Sequence, residues 1–241
     1  MAYFGQSPKT WDKGPGMPVT EADLAVDALL HQQLIAARPG YGWLSEETHD
    51  DGSRRAHSTL FVVDPIDGTS AFIKRKPEFT ICAASVHLRR PIAAAVFNPV
   101  TQEMFTAAQG HGTRRNGEAI SVSRRNQIAG CRMLGSPAIF SHPAWSEPWP
   151  AMEISNRASI AYRMALIAQG LFDGLVALSP KKDWDIAAAE LLVAEAGGVV
   201  STHDGQTFLY NGEAPEQASL VCAGAALHPL LLQRTKSVRL P

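Results

Sequence analysis

The chain has 241 residues, 45% of them hydrophobic and 19% charged, with a formal net charge of −1. That balance fits an ordinary globular protein and excludes a long-range pull toward nucleic acid or anionic lipid; no apolar stretch approaches bilayer length and "MAYFGQSPKTWDKG" lacks a cationic stretch followed by an apolar run, so neither export nor anchoring is expected. Three cysteines, Cys82, Cys131 and Cys222, are an odd number without metal-ligand spacing, which argues for reduced, buried thiols in a cytoplasmic protein.

In "VTEADLAVDALLHQQLIAARPG", Val26, Leu29, Leu30, Leu34 and Ala37 recur at helical spacing, with Thr20 as N-cap, Asp23 completing a capping box and Pro39-Gly40 as the stop. Four β-rich runs follow at 60–63, 79–88, 91–100 and 103–109, separated by turn residues, and predict an antiparallel meander. "GHGTRRNG" (110–117) matches neither a dinucleotide loop nor a P-loop and reads as a hairpin turn. The arginine pairs 89–90, 114–115 and 124–125 read as solvated loop charges. A Pro/Ser/Trp-rich loop, "GSPAIFSHPAWSEPWP", leads to two further helices, "ASIAYRMALIAQG" and "WDIAAAELLVAEAGG", interleaved with the apolar runs "LFDGLVAL" and "ASLVCAG". The expectation is one compact unit of two halves, α+β over 1–135 and α/β over 136–241.

The stretch "FVVDPIDGTSAF" (61–72) carries the chemistry. An apolar strand delivers Asp64 to a sheet edge, Pro65 fixes the backbone, Ile66 can turn its carbonyl inward, and Asp67 precedes a Gly-Thr-Ser segment whose N–H groups can open a helix toward an anion. Carboxylates this close repel one another unless a hard divalent cation is shared between them, and magnesium fits oxygen ligands that bridge to phosphate. The plainer reading makes Asp67 an N-cap and Asp64 a turn residue. Glu46-Glu47, near His49, Asp50 and Asp51, reads equally as a strand-end pair or a solvated loop, and Asp185 as the N-cap of its helix with Trp184 as an apolar plug.

Taken together, "PVTEAD" (18–23), "LSEE" (44–47), "DPIDGTSAF" (64–72), "GHGTRRNG" (110–117) and "WDIAAAELLVAEAGG" (184–198) resemble, in order and over nearly the whole chain, the inositol monophosphatase superfamily of magnesium-dependent, lithium-sensitive phosphatases. The resemblance implies an αβαβα layered sandwich. It implies that Glu46, Asp64 and the Ile66 carbonyl hold one magnesium, that Asp64, Asp67 and Asp185 hold a second, and that Glu46 reaches a third ion through water. Asp23 with Thr69 would orient the attacking water, and Gly68, Thr69 and Ser70 would receive the phosphate. A haloacid-dehalogenase-type phosphatase needs Asp-x-Asp, and the spacing here is Asp64-x-x-Asp67; HExxH, GxSxG and Cys-x-x-Cys are absent.

Members that prefer inositol phosphate carry an acid shortly before Trp-Asp, where this chain has Ala177 or Leu178. Lys181 and Lys182 in that loop read equally as solvated charges or as contacts for a second phosphate, and Arg157, Ser159 and Arg163 share the ambiguity. "YGWLSEET" with "ASIAYRMAL" is more similar to bacterial 3'(2'),5'-bisphosphate nucleotidases, so conversion of 3'-phosphoadenosine 5'-phosphate to AMP is the expected activity, with inositol-1-monophosphatase as the alternative. A catalytically silent phosphometabolite-binding or interaction module is the alternative of another class. The implied partner is a small phosphate ester, without nucleic acid or membrane; dimerisation is common in the superfamily. Relatives place a helical segment ahead of the residues matching "KTWDKGPGMPVTEAD", close to which this sequence starts; a mis-called start and a member with a weakened core and a less firmly held Lys13 loop are both open readings.

Overall fold

The computed structural model describes residues 1–14, 16–142 and 145–240. Pro15, Pro143 and Ala144, inside two of the stretches quoted above, lie outside the described residues.

The chain opens with an antiparallel hairpin of β1 (Thr10–Asp12) and β2 (Pro18–Thr20), which runs straight into α1 (Glu21–Ala37). Thr20 caps α1 as expected: its hydroxyl accepts from Ala22 N–H while its N–H and hydroxyl both donate to Asp23. Helix α1 is less amphipathic than its spacing suggests. Leu29 is 56% exposed, and the inward positions include Asp27, which is buried because Ser45 and Thr48 donate to its carboxylate.

Next come β3 (Gly42–Ser45), a 3-10 turn (Ser53–Ala56), β4 (Thr59–Asp67), α2 (Thr69–Ile73), β5 (Thr80–His87), β6 (Arg90–Asn98), β7 (Glu103–Ala108), β8 (Thr113–Arg115) and β9 (Glu118–Ile120). They form a seven-stranded sheet in sequence order, antiparallel except where β3 lies parallel to β4. The meander is as predicted. "GHGTRRNG" is more than a hairpin turn, since Thr113–Arg115 is itself a strand between two turns.

The second half contains β10 (Arg132–Leu134), α3 (Pro137–Phe140), β11 (Glu153–Ser155), α4 (Ile160–Ala168), β12 (Gly174–Ala177), β13 (Lys181–Lys182), α5 (Asp183–Glu195), β14 (Gly198–Ser201), β15 (Glu216–Gln217), β16 (Leu220–Gly224) and α6 (His228–Thr235). Five strands make a mixed sheet in the order β11-β10-β12-β16-β14, and β13 pairs with β15 alone. The change of sheet falls between Ile120 and Arg132, so β10 belongs with the second sheet although it precedes residue 135.

Helices α4 and α5 pack together between the two sheets, and both are buried almost all round. A helix apolar on every face needs cover on every face. The main core runs accordingly from Leu60, Val62 and Val96 of the first sheet, through Ile167, Ile186 and Leu192, to Leu175 and Cys222 of the second. Helix α1 covers the outer side of β4, and Leu227 and Leu231 at α6 cover Met133, Val176 and Val221 on the far sheet. Five layers, αβαβα, result. The three cysteines are buried and unpaired. Among the described residues no helix is long and apolar enough to cross a membrane.

The arginine pairs are not simply solvated. Arg90 donates to the Phe208 carbonyl and, at 2.6 Å, to the buried Glu190, and Arg115 pairs with Glu103 at 3.0 Å. Each crosses from a strand to a neighbouring segment, a tie that no local sequence pattern encodes.

Candidate active site

The site is built on an irregularity in β4. That strand does not stop at Val63; it continues to Asp67, and its register against β5 slips between Asp64, opposite Cys82, and Asp67, opposite Thr80. Residues three apart in a regular strand face opposite sides of the sheet. One extra residue in the bulge cancels that alternation, so Asp64 and Asp67 both reach the same cavity. Pro65 sits in the bulge, where a missing N–H costs the ladder nothing. Gly68 then turns the chain at φ +97° into α2. A Cβ at Gly68 would lie 3.0 Å from the Glu78 carbonyl oxygen and 3.2 Å from Ser159 N, so both the torsion and the space require glycine.

The cavity, about 270 Å³, is lined by Glu46, Asp64, Ile66, Asp67, Thr69 and Asp185, among others. Glu46 follows the end of β3, and its N–H continues the ladder to the Val63 carbonyl. Asp185 is not the N-cap of α5: the helix begins at Asp183, with Lys182 as cap, and Asp185 in the first turn accepts from Lys182 N–H at 2.9 Å. Asp23 and Thr69 meet across 46 residues: the Thr69 hydroxyl lies 3.2 Å from Asp23 Oδ1 and 3.1 Å from the Ile66 carbonyl.

Asp64 and Asp67 are buried here, and Asp185 is partly buried beside them. Among the described residues Asp64, Asp67 and Asp185 have no lysine or arginine ion pair. Burial, followed by the charges of Glu46, Asp67 and Asp185, pushes the Asp64 carboxyl well above the usual range. Burial pushes Asp67 up to about 6 even though Ser159 Oγ donates to it at 2.6 Å and Ala161 N–H at 2.7 Å. Asp185 rises to about 7, from burial and then from Asp67. Asp23 is raised too, by burial, against the bonds from Thr20.

As the side chains lie, no three His, Cys, Asp or Glu residues among those described converge tightly enough to ligate one ion. The carboxylates face one another across the cavity, and Lys13 is drawn to Glu46 (3.0 Å) and Glu47 (2.7 Å). Burial works against the Lys13 charge, but Glu47 and Glu46 more than offset it and raise its pKa. Lys13, just after β1, is thus tied to the strand-end acids. The donors fit a hard divalent cation in kind: four carboxylates and one carbonyl, all oxygen, with a mutual repulsion that a dication would relieve.

A second cleft of about 530 Å³ shares Asp67, Ala158 and Asp185 with the first and extends past Arg163, Lys181, Ala177 and Leu178. Burial lowers the pKa of both Arg163 and Lys181. The lysine pair separates: Lys181 lines this cleft, whereas Lys182 is half exposed and paired with Glu216 at 2.7 Å. Arg157 lies outside both cavities, 3.9 Å from Glu78. Ser159, ambiguous in the sequence, is the N-cap of α4 and a direct donor to Asp67. Its signal was a serine one residue before an apolar helix; the carboxylate it serves, 92 residues away, was not readable.

The sequence pattern of the inositol monophosphatase family matches residues 3–240. The chain is 33% identical over 236 residues to an inositol-1-monophosphatase of Mesorhizobium japonicum, covering 93% of this chain and 85% of that one. It is 30% identical over 203 residues to the Nus factor SuhB of Escherichia coli K12, covering 80% and 74%. Among solved structures, the IMPase of Thermotoga maritima is similar with a TM-score of 0.82 at 25% identity, covering 98% of this chain and 90% of that chain.

Proposed function

Because the chain belongs to the inositol monophosphatase family and is a phosphate-monoester hydrolase, we propose that it hydrolyses the monophosphate of a small ring alcohol with magnesium, at the cavity between β4, α2 and α5. The observation that carries this reading is the bulge that turns Asp64 and Asp67 to one side, opposite Asp185 and Glu46. Glu46, Asp64 and the Ile66 carbonyl would hold one magnesium, and Asp64, Asp67 and Asp185 a second. When bound, the ions supply an activated water and stabilise charge on the phosphate and the leaving oxygen.

The chain's own groups do the positioning. The Thr69 hydroxyl, its proton directed at Asp23 and the Ile66 carbonyl, keeps a lone pair with which to accept from a water O–H and so aim the water's oxygen. Asp23 is itself fixed by two bonds from Thr20, which locks that orientation. Backbone N–H groups at Gly68, Thr69 and Ser70, in the first turn of α2, receive phosphate oxygens. Ser159 and Ala161 hold the Asp67 carboxylate in place. No side-chain nucleophile is required, since phosphoryl transfer is largely positioning and charge stabilisation.

Inositol 1-phosphate is the substrate that the names of relatives support. A second reading, 3'(2'),5'-bisphosphate nucleotidase, is favoured by Lys181 and Arg163 in the cleft and by Leu178 near the place of the ring-binding acid. The test is phosphate release from inositol 1-phosphate and 3'-phosphoadenosine 5'-phosphate, with magnesium or EDTA, for wild type and Asp67→Asn. Magnesium-dependent release that disappears in the variant is the expected result. A folded protein that releases phosphate from neither would leave a binding or interaction module as the reading.

A further inference from the structure

The cleft does not end at Leu178. A third cavity, about 280 Å³, shares Ile139 and Leu178 with the central cleft and is otherwise walled by Trp145, Val238 and Leu240. His142 and Arg239 are its polar lining residues. From the carboxylates outward the lining therefore grades from anionic, through the cations Arg163 and Lys181, to apolar. This annex draws on the Trp-rich loop and the C-terminal segment, which the proposed chemistry leaves unused.

We propose that the alcohol of the preferred substrate carries a planar aromatic ring, seated in this annex between Ile139, Trp145 and Leu178. The proposal rests on the phosphatase reading above but not on inositol as the substrate. Polyol hydroxyls placed against these walls would lose hydrogen bonds to water and gain few in return. An aromatic ring gains area burial and edge contacts there, and a cavity of about 150 Å³ already accepts a benzene-sized guest. The central cleft leaves room for a pentose-sized spacer between ring and phosphate.

The wall is held in place before any ligand arrives. Trp145 Nε1 donates to the Ile139 carbonyl at 2.5 Å, and Trp145 meets Trp149 edge-on at 5.2 Å. Trp149 lies in turn under the Arg234 guanidinium at 4.9 Å. A wall fixed in advance spares the ligand the cost of ordering it. Leu178 has the decisive place: it lines both cavities and is the apolar step between cleft and annex.

Binding of phosphate-free adenosine and of ribose, by calorimetry with magnesium-loaded protein, tests the annex without any need for turnover. Adenosine should bind at least tenfold tighter than ribose, and Leu178→Asp and Trp145→Ala should each erase most of that difference; two variants guard against one that misfolds. In parallel, the ratio of kcat/KM for adenosine 2'-monophosphate over inositol 1-phosphate should fall about tenfold in Leu178→Asp. Equal binding of adenosine and ribose by wild type, or a preference untouched in both variants, overturns the proposal. Absence of phosphate release from every ester would sink the phosphatase reading alone, because the binding comparison still judges the annex.

Discussion

Asp67→Asn should make the magnesium-free protein more stable while weakening its response to magnesium. In wild type the Asp67 carboxyl is raised from 3.8 to about 6 by burial. A carboxyl whose pKa is higher folded than unfolded adds stability below its unfolded value and loses that stability as pH rises through the folded one. Between about pH 4 and pH 7 the magnesium-free wild type should therefore weaken, and at about 1.4 kcal/mol per pH unit Asp67 alone accounts for on the order of 3 kcal/mol. Asparagine removes this loss and gives up some strength in the bonds from Ser159 and Ala161, about 1 kcal/mol or more. The net gain at pH 8, on the order of 1–2 kcal/mol, corresponds to a Tm higher by roughly 2–8 °C for a chain of this size. Magnesium at about 100 times its Kd should stabilise wild type by about 2.7 kcal/mol for each site filled, and the variant, which loses a ligand of the second site only, by clearly less. Thermal scans in EDTA and in magnesium at pH 5 and pH 8 measure all of this. A variant less stable than wild type in EDTA at pH 8, or a wild type whose Tm in EDTA does not fall across that range, would refute the reasoning.

Ser159→Ala removes both the cap of α4, where Ser159 Oγ accepts from Tyr162 N–H at 2.8 Å, and a donor to Asp67; it should cost about 1–2 kcal/mol in urea unfolding and move the acidic limb of the kcat/KM–pH profile upward. Gly68→Ala must hold φ near +97° with its Cβ 3.0 Å from a backbone oxygen, so a loss of at least about 2 kcal/mol and of most phosphatase activity is expected; a well-folded, active variant would contradict the assigned turn. Asp183 is fully buried and accepts from Gln217 at 2.9 Å and Asn211 N–H at 3.1 Å, in the same turn as Asp185. Asp183→Ala should therefore lower stability by roughly 2–4 kcal/mol and raise the magnesium concentration needed for half-maximal rate, an effect that Gln217→Ala should show more weakly. Tyr162→Phe, which loses a 2.6 Å bond to Glu103 outside the cavities, should cost about 1 kcal/mol without a change in kcat/KM.

The sequence by itself determined what is local. The Thr20–Asp23 capping box, the meander and the two apolar helices follow from spacings of two to four residues, and these are as the periodicities predicted. The acid-rich site was expected through the resemblance alone, carried by DPIDGT, SEE and WD in that order, since each acid taken singly reads as readily as a cap, turn or loop residue. Tertiary structure decided the rest. The bulge after Asp64 exists only in register with β5, and without it an odd spacing would send Asp64 and Asp67 to opposite faces. Lys181 and Lys182 are adjacent in sequence, yet the short β13–β15 pairing turns one to the cleft and gives the other Glu216. The hydrogen-bond partners of Arg90, Asp67 and Asp183 come from segments 100, 92 and 34 residues away. A buried charge must find its counterpart wherever the fold brings one, and no local spacing records that distance.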